Sequence, residues 1–406
     1  RSVLDKYQYL SKQDRAFMTR LVDGTIEYML QLDYIIDSFS KTKVRKMKPF
    51  IRNLLRMSVY QIKYMDAVPD SAVCNEAVKL AKRHRFAQLS GFVNGVLRNI
   101  ARNIDSVQLD TLSIRYSMPQ WIVDRFVAAY TEEKAEEIFK AFHSKSTISI
   151  RTNLTRCTPD ELRAMLEAEG VTVTAVDELN YAFVISGFDY LNGLQSFRDG
   201  LFYVQDISSM LVAQTAAPKK GDYVIDVCAA PGGKSTHIAE LLQGSGHVLA
   251  RDLTDNKVDM IEENIERHGL NNMSAEVWDA TVPDADSAGK ADILICDLPC
   301  SGLGVLGRKK DIRYKMTPES VDELAALQRQ ILDTVHTYVK PNGVLVYSTC
   351  TIDEAENEDN VRWFIEKHPE FELDKSFAEG IGMKQILPGE HGSDGFFIAR
   401  FIKSKL

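Results

Sequence analysis

Tyr223-Val-Ile-Asp-Val-Cys-Ala-Ala-Pro-Gly-Gly-Lys-Ser-Thr236 is the stretch whose reading decides the fold. Its first half is a short apolar run that reads as a buried strand ending at Cys228. Two glycines then turn the chain into a helix. Gly232 and Gly233 let the backbone come close to a ligand, and the helix amino terminus and Lys234 add positive potential. Two chemistries meet here. A P-loop needs Gly-x4-Gly-Lys-Ser, and Gly233-Lys234-Ser235 matches its end, but Cys228 stands at the leading position where glycine is required. The other reading is a turn that receives an adenosine-bearing ligand at the end of a parallel strand.

Downstream the pattern alternates strand and helix. Further strands are expected at His247 to Asp252, Ala275 to Trp278, Asp292 to Asp297 and Val344 to Ser348, with a separate late strand at Phe396 to Ile402. Such a series predicts a doubly wound, largely parallel sheet that binds ligands at the carboxyl ends of its strands. Unusual residues lie at those ends. Asp252 is placed to accept bonds from ribose hydroxyls, and Asp279 to meet an adenine amino group. Each taken alone also reads as a helix cap or turn residue. The fourth strand runs into Asp297-Leu-Pro-Cys-Ser-Gly302 and the fifth into Tyr347-Ser-Thr-Cys-Thr351, so Cys300 and Cys350 emerge at one edge of the sheet. A cysteine there is either a small buried hydrophobe or a nucleophile in a ligand cleft.

Upstream, apolar residues from Asp14 to about Arg102 recur at three-to-four spacing: Phe17, Leu21 and Ile26, then Ile51, Leu54, Leu55 and Val59, then Val73, Ala77 and Leu80. This predicts an all-helical domain over residues 1–105, with helix starts at Ser11 and Asp70-Ser71 and breaks at Pro49 and Pro69. Residues 106–200 are expected to hold one or two amphipathic helices over 119–142 and then a small platform. In the platform Ile148-Ser-Ile-Arg151 is a strand, Thr158 caps a helix with Pro159 at its first position, and Val171 to Val176 and Ala182 to Ile185 are strands. Residues 201–406 form the ligand-binding domain. The net charge of -8 hides an asymmetry: residues 1–105 carry 19 Lys and Arg against 10 Asp and Glu, and the remainder 30 against 47. A basic module joined to an acidic one suits phosphate contact through the first. Six cysteines are too few for a disulfide scaffold, and no CxxC or histidine pair has metal-ligand spacing, so free thiols and no metal are expected. The start Arg1-Ser-Val-Leu-Asp has no signal-peptide pattern and no window is apolar enough to span a bilayer, which predicts a cytoplasmic protein without membrane attachment. Arg1 in place of an initiator Met points to processing or to preceding residues.

Together these strings resemble the RNA cytosine-C5 methyltransferases, in particular the bacterial type fused to a NusB-like domain. Phe92-Val-Asn-Gly-Val-Leu-Arg98, Asp14-Arg15 and Gly24 fit the NusB-like fold, and Arg151-Thr-Asn153, Val204-Gln-Asp206 and Asp394-Gly-Phe-Phe397 fit signatures that flank the cofactor domain. The resemblance implies a Rossmann-like class I methyltransferase domain with a small α+β platform and an amino-terminal all-α domain. It also implies S-adenosylmethionine as cofactor, small-subunit ribosomal RNA as substrate, and a monomer. Cys228, Ala229, Ala230, Pro231, Gly232, Gly233, Lys234, Asp252, Asp279 and Asp297 fall where that family binds the cofactor. Cys350 falls on its nucleophile, Cys300 on the cysteine that assists release, and Asp297 on a residue that steadies the base. Leu298 departs from the usual alanine. A transfer RNA substrate and a non-catalytic RNA-binding factor are the alternatives to this reading.

Overall fold

Val224-Ile225, Ile293-Leu294-Ile295 and Leu345-Val346-Tyr347 are almost wholly removed from solvent, which requires a sheet covered on both faces. In a computed structural model that describes residues 4–7, 9–144 and 147–405, the described chain divides into two units. One runs to His143 and includes Lys309–Lys315; the other comprises Ser144–Arg308 and Met316–Leu406. The first three residues of the amino-terminal start read above lie outside the described residues.

The second unit opens with the platform. Strands β1 (Ile148–Thr152), β2 (Thr172–Val176), β3 (Leu179–Ser186) and β4 (Phe202–Val204) pair antiparallel in the order β2-β3-β1-β4. Helix Pro159–Ala168 packs on them, begun by a capping box in which Thr158 and Glu161 satisfy each other's backbone amides. The larger sheet contains β5 (Tyr223–Asp226), β6 (His247–Asp252), β7 (Met273–Val277), β8 (Ala291–Asp297), β9 (Val339–Thr349), β10 (Phe371–Leu373), β11 (Met383–Ile386) and β12 (Phe396–Lys403). Its order is β10-β12-β9-β8-β5-β6-β7, with β11 also on β12. The run from β9 to β7 is parallel, and β12 joins β9 antiparallel. Chain order reverses between β5 and β8, and at such a switch point the loops leaving the two strands part and open a crevice. Sequence periodicity placed the third strand two residues late, began the strand at Val344 rather than Val339, and missed the short strands β4, β10 and β11, the last two of which pair antiparallel with β12.

The first unit is helical, with main helices Lys12–Glu27, Met29–Phe39, Pro49–Tyr64, Asp70–Arg83, Ser90–Asn103, Gln120–Tyr130 and Glu132–Phe142. Ser11 caps the first by accepting from the Asp14 amide, whereas the fourth starts at Asp70 without a side-chain cap. Residues 119–142 form two helices because Thr131 adopts a φ of 88°, which breaks the helical run. Leu32, Ile35, Leu55, Val59, Leu97 and Ile100 form a core fully shielded from water. Phe17 and Leu80, expected on that face, are exposed; Ala81 takes the buried position beside Leu80. Lys309–Lys315 completes this unit from far along the chain. The Lys310 ammonium pairs with Glu27 Oε2 at 2.5 Å, Arg313 is fully buried, and the Tyr314 hydroxyl donates to the Glu27 carbonyl at 2.9 Å. No described helix is long and apolar enough to cross a membrane.

Gly24 faces Tyr60 so closely that an added Cβ would stand 2.0 Å from the phenol ring. Gly24→Ala therefore opposes two effects: alanine gains up to about 1 kcal/mol of helix propensity, while overpacking costs roughly 1–3 kcal/mol. The expected outcome is net destabilisation of the helical unit, read as an earlier loss of helical circular dichroism in urea.

Candidate active site

The turn after β5 is held by its own backbone and by β6. The Ala229 amide donates to the Arg251 carbonyl at 2.8 Å, the Ala230 amide to Asp252 Oδ2 at 2.9 Å, and the Gly232 amide back to the Ala229 carbonyl at 2.7 Å. Gly232 sits at a φ of 102°, a conformation open to glycine at little cost. The turn passes into helix Gly233–Leu241. Asp226, at the end of β5, is fully buried; its carboxylate accepts from the Ser235 hydroxyl and the Cys228 amide. Burial above all, with the nearby charge of Asp297, pushes its pKa up to about 7. Burial likewise drives the Cys228 thiol well above its ordinary range.

The other strand ends carry the remaining acids. Asp252 is buried, accepting at Oδ1 from the Leu253 amide and the Lys257 ammonium, both at 2.8 Å, in addition to the Ala230 amide at Oδ2. Asp297 lies between Lys234, whose ammonium donates to Oδ2 at 2.7 Å, and Ser348, whose hydroxyl donates to Oδ1 at 2.8 Å. Burial alone would lower the Lys234 pKa, but its pairing with Asp297 outweighs that and raises it. Asp279 lies two residues beyond β7, exposed, with Oδ1 accepting from the Thr281 amide and hydroxyl in a local turn.

Cys300 and Cys350 come together from the adjacent strands β8 and β9, with their sulfurs 3.2 Å apart. The contact with Cys350 and then burial raise the Cys300 pKa. The two loops are tied from behind by a buried polar cluster that periodicity does not reveal. Glu356 accepts from the Ser301 amide at 2.8 Å and from the Ser301 hydroxyl, and Gln328 Nε2 reaches both Glu356 Oε1 at 3.0 Å and the Pro299 carbonyl at 2.8 Å. The Ser301 and Thr351 hydroxyls meet at 3.0 Å, linking the residues that follow the two cysteines. Gly304 closes the gap: its amide donates to the Cys350 carbonyl at 3.1 Å, and a Cβ there would stand 2.2 Å from the Gly395 carbonyl oxygen.

The flanking signature strings converge on this edge. Arg151 on β1, 1% exposed, sends Nη1 to Gln205 Oε1 at 2.8 Å and to the Gly233 carbonyl at 2.9 Å, and Nη2 to Glu240 at 2.9 Å and Thr236 at 3.2 Å. Arg308, downstream of Cys300, pairs with Asp206 at 2.8 Å and Asp394 at 2.6 Å. Burial and the neighbouring Asp206 push Asp394 up to about 7. Sequence reading found Arg151, Asp206 and Asp394 only as parts of motifs. Arg308 and Glu356 carried no signal, because an isolated charged residue looks like a solvated surface group until its partner is known.

The comparisons fit this geometry. The description "16S rRNA methyltransferase RsmB/F" matches residues 213–402, "NusB family" matches 1–102, and an RsmF/B-like ferredoxin-like domain matches 118–188. "Probable ribosomal RNA small subunit methyltransferase B" of Bacillus subtilis (strain 168) is 38% identical over 98% of this chain and 92% of its own length. The chain belongs to the RsmB/F methyltransferase family. A protein with the same printed name from Synechocystis is 33% identical over 97% of this chain and 92% of its own length. Among solved structures, "Crystal Structure of PH0851" superposes with a TM-score of 0.85 at 26% identity, covering 99% of this chain and 93% of that one. NSun6 from Pyrococcus horikoshii with SFG gives 0.63 at 25% identity, covering 71% and 99%. Membership in RsmB/F sets aside the P-loop reading of the glycine turn.

Two outcomes follow. Removing one partner of a buried ion pair costs about 3–5 kcal/mol, whereas replacing both by apolar groups is often neutral. Arg151→Met should therefore unfold this RsmB/F methyltransferase unit at lower urea concentration, and adding Glu240→Leu should recover most of the loss. The second concerns Asp226. Because its pKa is raised above the unfolded value of 3.8, the stability it contributes is full below that value and is lost as pH rises through about 7. The thermal midpoint of the native chain should fall relative to that of Asp226→Asn between roughly pH 4 and pH 7 and change little beyond.

Proposed function

We propose that this chain methylates carbon 5 of a cytosine in small-subunit ribosomal RNA, with S-adenosylmethionine as donor and Cys350 as nucleophile. The observation that carries the reading is the pair of thiols at 3.2 Å beside the Lys234–Asp297 pair, all at the carboxyl ends of adjacent strands. The printed names of the relatives, and an NSun6 structure solved with an S-adenosylmethionine analogue, support the polymer and the cofactor.

The donor set fits the cofactor. An ionised carboxylate has about four acceptor sites. Asp252 uses three, on Ala230, Leu253 and Lys257, so one is left for a ribose hydroxyl. Residues 228–234 supply the close backbone and the helix amino terminus, and Asp279 the outer acceptor at the adenine end. Bound there, S-adenosylmethionine supplies an electrophilic methyl group.

Cytosine C5 is a weak nucleophile. A thiolate adding at C6 turns C5 into an enamine-like carbon able to attack that methyl. Cys350 forms the S–C6 bond. Asp297 accepts a hydrogen bond from the exocyclic amine and so orients the base, its own position fixed by Lys234 and Ser348. After methylation the C5 proton departs to a base, the S–C6 bond breaks, and Cys350 leaves as thiolate. Cys300 promotes this second half. Only a thiolate attacks, and in this reading Cys350 is the attacking thiolate while Cys300, 3.2 Å away, acts on the adduct. A target base must be unstacked to enter such a site, which favours a loop or unfolded segment of RNA. The basic excess of residues 1–105 suits contact with the surrounding phosphates.

The test is transfer of radiolabelled methyl to unmodified small-subunit ribosomal RNA, with the product mapped by bisulfite sequencing. Cys350→Ala should abolish transfer at a single cytosine. Cys300→Ala should accumulate a protein–RNA adduct that survives denaturing electrophoresis. An active Cys350→Ala protein would sink the assignment.

A further inference from the structure

His336 and His368 stand at the other end of the sheet from the thiols. His336 follows helix Pro318–Val335 and precedes the amino end of β9, whereas Cys350 follows its carboxyl end, roughly 30 Å away at about 3.3 Å per strand residue. His368 ends helix Glu358–Lys367, and Glu370 leads into β10. The two imidazole centroids are 3.9 Å apart. Asp333, His336 and His368 each offer a ligand atom, all within 4.8 Å of one another.

The nitrogens divide by partner. His336 Nε2 and His368 Nδ1 both face Glu370 Oε1, at 3.7 and 3.8 Å. His336 Nδ1 and His368 Nε2 are buried and make no hydrogen bond of standard geometry, although the Asp333 backbone carbonyl also faces the His336 ring, and His368 as a residue is only 7% exposed. His368 Nε2 lies 3.1 Å from Asp333 Oδ1. Ligands at about 2.0–2.1 Å from a tetrahedral ion stand about 3.3 Å apart, so this spacing suits two ligands of one ion as well as it suits a direct histidine–carboxylate contact. A carboxylate on the far nitrogen of a ligating histidine is the usual means of fixing its tautomer and orientation. Phe364 and Phe371 pack against the histidines, a low-dielectric setting that strengthens ligation. Two cations stand near. Lys367 holds Asp333 Oδ2 at 2.9 Å, leaving Oδ1 to the histidines, and the Lys403 ammonium is occupied by the Val339 carbonyl at 3.0 Å. Histidines 32 positions apart on different elements have no metal-ligand spacing, so local spacing does not reveal the cluster.

We propose that Asp333 Oδ1, His336 Nδ1 and His368 Nε2 form a binding site for one divalent transition-metal ion of the zinc class, with Glu370 orienting both imidazoles. Nitrogen and carboxylate ligands suit zinc or cobalt and do not suit magnesium, which takes oxygen ligands. The ion would pin two outer helices and the edge strand β10 to one another, far from the chemistry.

The thiol pair would itself capture such ions, so the experiment uses the full chain carrying Cys300→Ala and Cys350→Ala. Titration with cobalt(II) alone, followed by visible absorption, should show one ion bound without thiolate charge-transfer bands. Zinc should displace it and raise the thermal midpoint; magnesium should do neither. Asp333→Asn, at a side chain 41% exposed and so safe for folding, and His336→Gln should each weaken cobalt binding at least tenfold. Glu370→Gln should weaken it about 10–100-fold. Absence of binding, a cobalt affinity unchanged by Asp333→Asn and His336→Gln, or an equal response to magnesium would each overturn the proposal.

Discussion

The guanidinium of Arg151 carries a positive charge into a place where water does not reach, and the active edge depends on how that charge is compensated. Glu240 supplies the opposite charge at 2.9 Å, and Gln205, Thr236 and the Gly233 carbonyl take the other Nη donors, while the buried Nε makes no hydrogen bond. A buried pair of this kind gains little net stability, because desolvation of both ions cancels most of the attraction. What it gives is position. The platform strand β1 is bound to the first turn of the helix that follows Gly232, so the glycine turn is fixed from outside as well as by Asp252 from within.

The same economy recurs around the thiols. Apolar packing sets the sheet, but non-directional contacts do not fix two loops in one geometry. Glu356, Gln328, Ser301 and Thr351 do so with directional bonds in a region of low dielectric, where each unmade bond is costly. Gly304 and Gly395 let the backbones touch where any side chain would push Cys300 and Cys350 apart. Arg308 then anchors the outgoing loop between two carboxylates.

Legibility followed the range of the interaction. The parallel strands are near-continuous apolar runs, and their ends are marked by Asp252, Asp297, Cys300 and Cys350, so the parallel sheet and the edge where the two cysteines emerge could be read locally, whereas the strand order could not. Thr158 was legible as a cap for the same reason, since the Glu161 amide it accepts from lies within one turn. Arg151 and Glu240 are 89 positions apart, Ser301 and Glu356 are 55, and nothing in either neighbourhood distinguishes a buried charge from a solvated one. The edge strands β10 and β11 escaped because three or four residues are too few to show a period. Phe17 and Leu80 misled in the opposite sense: they keep the helical spacing at the margin of a face where the core has already been filled.

The seven residues Lys309–Lys315 set a timetable for synthesis. The helical unit's own contacts include the Lys310 pair with Glu27, the buried Arg313 and the Tyr314 hydroxyl on Ser117 and Glu27, all encoded after most of the other unit. A nascent chain that has emerged only to His143 has every long helix of the unit but lacks this closing segment. At about 5–20 residues per second, translation from there to Lys315 takes roughly ten to thirty seconds. During that interval Glu27 and Ser117 wait without their final partners, so the helical unit is completed only after most of the other unit has been made.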